Sequence, residues 1–405
     1  NGTITLEFRD NTIENFFNQY NVHYYDREFE WSRFTSLHKY YIIGIESADQ
    51  IDKLLSNSSI VLAEYIGTNE DEEKTLDTPN YYYDHVYIPN YWIPDGSVDS
   101  HGEPEQTFQT IDIRAYEHLE LIKARRAWNI TTGSPNIAIG IRDIYFNSVH
   151  PEIQNKIIAT YGSMSTTGGG HGVRVAGTAA GETNNGEGLS SIGYNSSLIL
   201  TNGTQGATSD NTLSYAGASL YLAENHTDVL KVINISMGSP NNFHQPRADA
   251  YEIIKDSLGI TVVVAAGNGN YTGNNITEYY YPASYEDVIS VSSVGSYQNY
   301  GHTYDNGVSV DWKDVHEQII GNNVANHQHN DSIDIVAPGY TIPVPTGLDS
   351  YEVGRGTSYA SPIVAGTVAL MYDVYPNITP DEVKQILQST ADDISHIPEN
   401  QPYLD

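Results

Sequence analysis

The chain contains no cysteine among its 405 residues. No disulfide can brace it and no thiolate can act as nucleophile or soft metal ligand, so covalent chemistry falls to oxygen or nitrogen. Basic residues are scarce, 19 Lys and Arg against 51 Asp and Glu, for a formal net charge of −32. Such a field repels nucleic acid and anionic membrane, which excludes both as partners and instead suits solubility in salt or cation binding. No apolar run reaches membrane-spanning length. No leader segment opens the sequence, and an exported precursor is expected to have lost one already. The length predicts one small and one large domain with ample core.

What is present carries chemistry. Gly356-Thr357-Ser358-Tyr359-Ala360-Ser361-Pro362 sets a hydroxyl where a tight turn runs into an apolar helix over 363–375. A helix N-terminus adds free N–H groups and partial positive charge beside that hydroxyl. Pro362 is tolerated in a first turn, where its missing N–H has no helical partner. By itself such a serine is most often a helix N-cap. His171 follows Gly168, Gly169 and Gly170 and precedes a small-residue run able to form a closely packed helix. Asp143 closes the apolar run 137–141, which reads as a buried strand, and the carboxyl ends of central strands are where ligands meet open α/β sheets. Singly, His171 is a loop histidine and Asp143 a turn former. Together they give the order Asp, His, Ser.

That order is the one found in subtilisin. The segments HGVRVAGTAAG (171–181), VINISMGSP (232–240), VVVAAGNGN (262–270), APGYTIPV (337–344) and GTSYASPIVAG (356–366) follow in the same succession. Over about 127–394 the chain resembles the subtilase family of serine peptidases. The resemblance implies an α/β fold, a parallel sheet flanked by helices, and a serine endopeptidase acting on polypeptides. It implies Ser358 as nucleophile, His171 as general base and then acid, and Asp143 as the group that orients the imidazole. Asn268 matches the side-chain donor to the oxyanion, joined by the backbone N–H of Ser358; read locally, Asn268-Gly269 is also a strong turn signal. Ser236, Met237 and Gly238, with Ala265, Ala266 and Gly267, match the walls of the primary specificity pocket. Gly206 falls where the family adds a second edge for an extended peptide. Tyr280 falls near the pocket floor, where it either shortens the pocket toward modest apolar side chains or belongs to a surface run of rings, Tyr279 to Tyr281.

The sequence also departs from the family. Asp143-Ile144-Tyr145 stands where Asp-Thr-Gly is usual, Val173 replaces a threonine, and Arg174 replaces a frequent histidine. The first of these changes removes a hydroxyl and a glycine that would support the aspartate, and a catalytically silent subtilase-fold binding protein is the rival reading.

Residues 1–70 read differently. Strand-like 4–8, a helical pattern from Asn11 to Tyr20, a weak strand near 20–25, a strand at 39–45, a helix at 47–55 and a strand at 60–66 fit a split β-α-β unit, ferredoxin-like. This is the layout of the subtilase propeptide, an inhibitor and folding aid for its own catalytic domain; an independent binding module is the alternative. A charged linker over 71–78 and a catalytic domain over 79–405 complete the division, with 67–110 expected to be irregular. The resemblance also implies a structural Ca2+ held by Glu152, Asn185 and the carbonyl of Leu189, oxygen ligands suited to a hard ion; a polar loop without an ion is the other reading. An insertion over about 295–333, with four histidines, reads as a solvated loop rather than a zinc site. Secretion, or a periplasmic location, follows from the family.

Overall fold

Short runs of Val, Ile and Ala, apolar on both faces, recur between residues 138 and 338 and build seven parallel strands. The computed structural model describes residues 24–27, 41–44, 86–98, 104–113 and 117–400, the last without 186–187, 203–213, 269–276, 296–313, 315–326, 341 and 399. The chain divides into two compact units, 1–71 and 72–405. In the first, β1 (Tyr24–Arg27) pairs antiparallel with β2 (Tyr41–Gly44). The expected helices and remaining strands of that unit lie outside the described residues.

In the second unit, β3 (Val86–Val98) and β4 (Pro104–Ile113) form an antiparallel ribbon. This corrects the expectation of irregular chain over 67–110. Pro89 and Pro94 lie at the register shifts between Ile88 and Tyr91 and between Pro94 and Val98, where an interrupted ladder accommodates them.

The main sheet contains β5 (Ala138–Arg142), β6 (Ile157–Tyr161), β7 (Ser197–Thr201), β8 (Leu230–Ile235), β10 (Thr261–Ala265), β12 (Ile289–Val294) and β13 (Ile335–Pro338). Their spatial order is β13-β12-β10-β8-β5-β7-β6, and every neighbour pairs parallel. From β5 the chain first builds to one side, through β6 and β7, and then to the other from β8 onward. The carboxyl end of β5 is therefore the topological switch point, where such sheets open a crevice. Two-residue strands β9 (Ser239–Pro240) and β11 (Tyr280–Tyr281) pair beside it, and β14 (Ile342–Thr346) with β15 (Ser350–Gly354) forms a further hairpin.

Helices cover both faces. One face carries α1 (His171–Ala180) and, packed against it, a long helix over Thr357–Val374; the other carries Ser214–Asn225, here α2, and Gln245–Glu252, here α3. The long helix, α4, is buried over nearly its whole length. Gly366 makes its close crossing of α1 possible: a side chain there would start 2.6 Å from the Ala179 carbonyl and 2.5 Å from Ile192 Cγ2.

Candidate active site

Asp143 follows the last residue of β5 and is fully buried, and its Oδ1 accepts the N–H of Ile144 at 2.7 Å. His171 opens α1, with Nδ1 2.8 Å from Asp143 Oδ1 and 3.0 Å from Oδ2. The carbonyls of Ile144 and Tyr145 take the N–H groups of Gly172 and Gly170 at 2.7 and 2.8 Å, one on each side of the imidazole. The tripeptide that departs from Asp-Thr-Gly thus holds the start of the histidine helix through its backbone. Arg174, the other polar departure, pairs with Glu352 at 2.5 Å, and Val173 is wholly buried.

Ser358 is the second residue of α4, not a residue ahead of a helix starting at 363. The earlier start corrects the expected place of Pro362, which lies inside the helix. Having no N–H, Pro362 cannot bond the carbonyl four residues back, that of Ser358. Ser236 supplies the missing donor, its hydroxyl reaching Ser358 O at 2.8 Å. The same hydroxyl accepts from Asn234 Nδ2 at 2.9 Å and lies 3.0 Å from Ser361 Oγ. The Ser236 side chain therefore points into the protein, and its carbonyl accepts from the Ser358 hydroxyl at 3.4 Å. Ser358 is 8% exposed. Among the described residues no hydrogen bond joins Ser358 to His171, a looseness common where no substrate is bound.

Asn268 faces the start of α4. Its Oδ1 accepts from Thr357 N at 2.8 Å and Thr357 Oγ1 at 2.9 Å, which fixes the amide and leaves Nδ2 as the outward donor. Gly356 is required at this meeting, with φ 118° and room for a side chain only 3.0 Å from the Asn268 amide.

The subtilase family (peptidase S8) matches residues 134–403. The chain belongs to this family. Its sheet and flanking helices are those of the subtilisin-like fold, and like other subtilases it is a serine peptidase. Subtilase relatives include a thermophilic serine proteinase of Bacillus sp. (strain AK1), 27% identical over 88% of this chain and 74% of that protein. Subtilisin DY of Bacillus licheniformis is 29% identical over 67% of this chain and 90% of its own length. Among solved structures, fervidolysin from Fervidobacterium pennivorans superposes with a TM-score of 0.54 at 24% identity, covering 69% of this chain and 42% of that one.

In this subtilase the pocket candidates Gly238 and Gly267 meet Tyr280; Met237, Ala265 and Ala266 adjoin them in sequence, and Gly206 lies outside the described residues. A side chain at Gly267 would begin 2.7 Å from Tyr280 Cδ1, and one at Gly238 would begin 3.6 Å from the same atom. The ring is thus wedged between the two glycines, and burial, followed by the nearby Glu278, raises its hydroxyl pKa. Met237 is reached from behind by buried Arg142, Nη1 to Sδ at 2.9 Å.

Sequence reasoning missed Gln328. It is fully buried, its N–H bonds Gly267 O at 3.0 Å, and its Nε2 bonds Glu278 O at 2.7 Å. His327 beside it is fully buried, with Nδ1 3.3 Å from Ser293 O, and burial lowers its pKa to about 3. The solvated-loop expectation for 295–333 is corrected over these two residues. Nothing in their polar character marked them, since it is the backbone of Gly267 that recruits them.

Glu152 and Leu189 meet. The carboxylate is 2% exposed, and its Oε1 accepts from Leu189 N at 2.7 Å and Tyr351 Oη at 2.9 Å. Leu189 faces it with an N–H, and Asn185 is exposed. A side chain at Gly188 would overlap Glu152 Oε1, so the loop closes tightly on the carboxylate. A buried carboxylate supplies the kind of oxygen ligand that a hard cation takes. The residues fit a hard ion to that extent, although no group of three or more His, Asp or Glu able to hold a metal occurs among the described residues.

Proposed function

We propose that this peptidase cleaves internal peptide bonds through an acyl-enzyme on Ser358. The observation that carries the reading is the His171–Asp143 pair at 2.8 Å, with His171 opening a helix packed against the one whose second residue is Ser358. His171 Nε2 takes the Ser358 proton as Oγ attacks the carbonyl carbon, and Asp143 holds Nδ1–H and offsets the imidazolium charge. The oxyanion receives hydrogen bonds from Asn268 Nδ2 and Ser358 N–H. His171 then gives its proton to the leaving amine, and water, deprotonated by the same imidazole, releases the acid and restores Ser358. A fluorophosphonate probe is expected to label the wild type and not Ser358→Ala. Absence of labelling in the wild type after removal of residues 1–70 sinks the reading.

The substrates are polypeptides bound in extended form. Met237, Gly238, Ala265, Ala266 and Gly267 wall the primary pocket, the backbone of Ser236 contributes its edge, and Gly206 lies on the second edge. Tyr280 shortens the pocket and favours modest apolar side chains, a preference supported by its place between Gly238 and Gly267. Residues 1–70 act as an inhibitory prodomain of a zymogen, 71–78 as a linker and 79–405 as the catalytic domain. Similarity to the thermophilic proteinase over 88% of the chain, well beyond 134–403, supports this division. Secretion is part of the same reading and rests on the family. No described helix is long and apolar enough to cross a membrane.

Calcium bound at Glu152, with Asn185 and the Leu189 carbonyl, would supply structural cross-linking of the 183–191 loop and no chemical step. A chelator is expected to lower Tm by several degrees and calcium to restore it; an unchanged Tm would count against the ion.

A further inference from the structure

Tyr145 lies two residues beyond Asp143 with φ 59°, a left-handed conformation that glycine adopts freely and a bulky side chain adopts at a cost. Glycine is usual here in subtilases. The ring is 69% exposed, so burial does not offset that cost. Strained residues of this kind cluster where they serve function. The Tyr145 carbonyl takes the Gly170 N–H, and a side chain at Gly170 would begin 2.9 Å from Tyr145 Cβ. The ring therefore leaves the backbone next to the residue that precedes His171.

Two more exposed apolar side chains lie on neighbouring segments. Buried Asn147 donates to Gly347 O at 2.8 Å and accepts from Val149 N at 3.1 Å. It thereby ties together the segments bearing Val149, 44% exposed, and Leu348, 49% exposed. A side chain at Gly169 would begin 2.8 Å from Asn147 Cβ and 3.3 Å from Gly347 O, so both segments lie against the turn that leads to His171.

We propose that Tyr145 is a specificity-determining contact of the polypeptide substrate, its ring packing on an apolar side chain adjacent to the scissile bond on the side flanked by His171. Leu348 and Val149 continue that contact along the chain. The inference rests on the peptidase reading above and adds a subsite to it. The test compares wild type, Tyr145→Gly and Tyr145→Phe on a peptide library, reading kcat, KM, cleavage profile and Tm. Tyr145→Gly is expected to raise KM about tenfold for peptides with an apolar residue beside the cut and to flatten preference at that one subsite. Its Tm is expected to hold or rise, because glycine relieves the left-handed strain. Tyr145→Phe keeps the wild-type profile. An unchanged KM and profile in Tyr145→Gly overturns the proposal. So does a kcat loss spread evenly over all peptides, which would make Tyr145 a positioning residue for His171. Fluorophosphonate labelling of the wild type separates the two levels: a labelled enzyme with an indifferent Tyr145→Gly variant refutes the subsite alone, and an unlabelled one refutes both.

Discussion

The Ser358 carbonyl loses its usual helical donor to Pro362 and recovers one from Ser236. The arrangement couples the end of β8 to the backbone of the candidate nucleophile. Ser236→Ala removes the hydroxyl and leaves a buried carbonyl unsatisfied, which costs about 1–3 kcal/mol. We expect a lower Tm and a roughly tenfold drop in kcat, which a tilt of the Ser358 backbone would produce. Wild-type kcat in Ser236→Ala would remove Ser236 from the positioning of Ser358.

Protonation at single buried residues also sets acid stability. Burial lowers the pKa of His118 to about 4 and of His327 to about 3, each from an ordinary 6.5. Both are neutral in the folded protein, and unfolding lets them take up protons once the pH falls below 6.5. Stability is therefore fully present above that value and declines as pH drops toward 4, by up to about 1.4 kcal/mol per pH unit for each histidine. Denaturant midpoints measured from pH 7 to 4.5 are expected to fall, and the fall is expected to be shallower in His327→Gln. A slope identical to wild type in that variant would contradict the assignment.

Helix crossing sets the distance between the two halves of the site. α1 begins with His171 and α4 with Thr357, and Gly366 lets them approach until one backbone touches the other. Gly366→Ala gains helix propensity of about 1 kcal/mol but drives a methyl group into the Ala179 carbonyl. Net destabilisation of about 1–3 kcal/mol is expected, with a fall in kcat larger than the fall in substrate affinity. A more stable, fully active variant would show that the crossing has slack.

Elements were legible where one pattern governed them. β5 and the two helices across from it announced themselves by apolar runs and small residues, and Asp143, His171 and Ser358 stood out at the edges of those runs, their roles coming from the family resemblance. The start of α4 was misread because Pro362 resembles a first-turn proline, and only the tertiary donor Ser236 explains its tolerance further in. His327 and Gln328 were misread because their burial is imposed by Gly267 and Ser293, distant in sequence. The β3–β4 ribbon was hidden by prolines that the register shifts absorb.

Charge acts on the whole molecule. A net −32 spread over 405 residues opposes compaction by self-repulsion. Cations such as Lys255, 2.7 Å from Asp287, are too few to cancel it. Raising ionic strength shortens the Debye length from about 10 Å at 0.1 M to about 3 Å at 1 M. Tm in sodium chloride is therefore expected to rise over that range, by about 1 °C for each kcal/mol of repulsion removed. A falling Tm would mean that the few ion pairs outweigh the repulsion.

The burial of α4 against β8, β10, β12 and β13 also bears on synthesis. The helix that begins with Thr357 and Ser358 leaves the ribosome after every one of those strands. Until it emerges and seats itself, the nascent chain holds the His171–Asp143 pair without the proposed nucleophile. A cell making this protein is spared the proposed cleavage until α4 has been made.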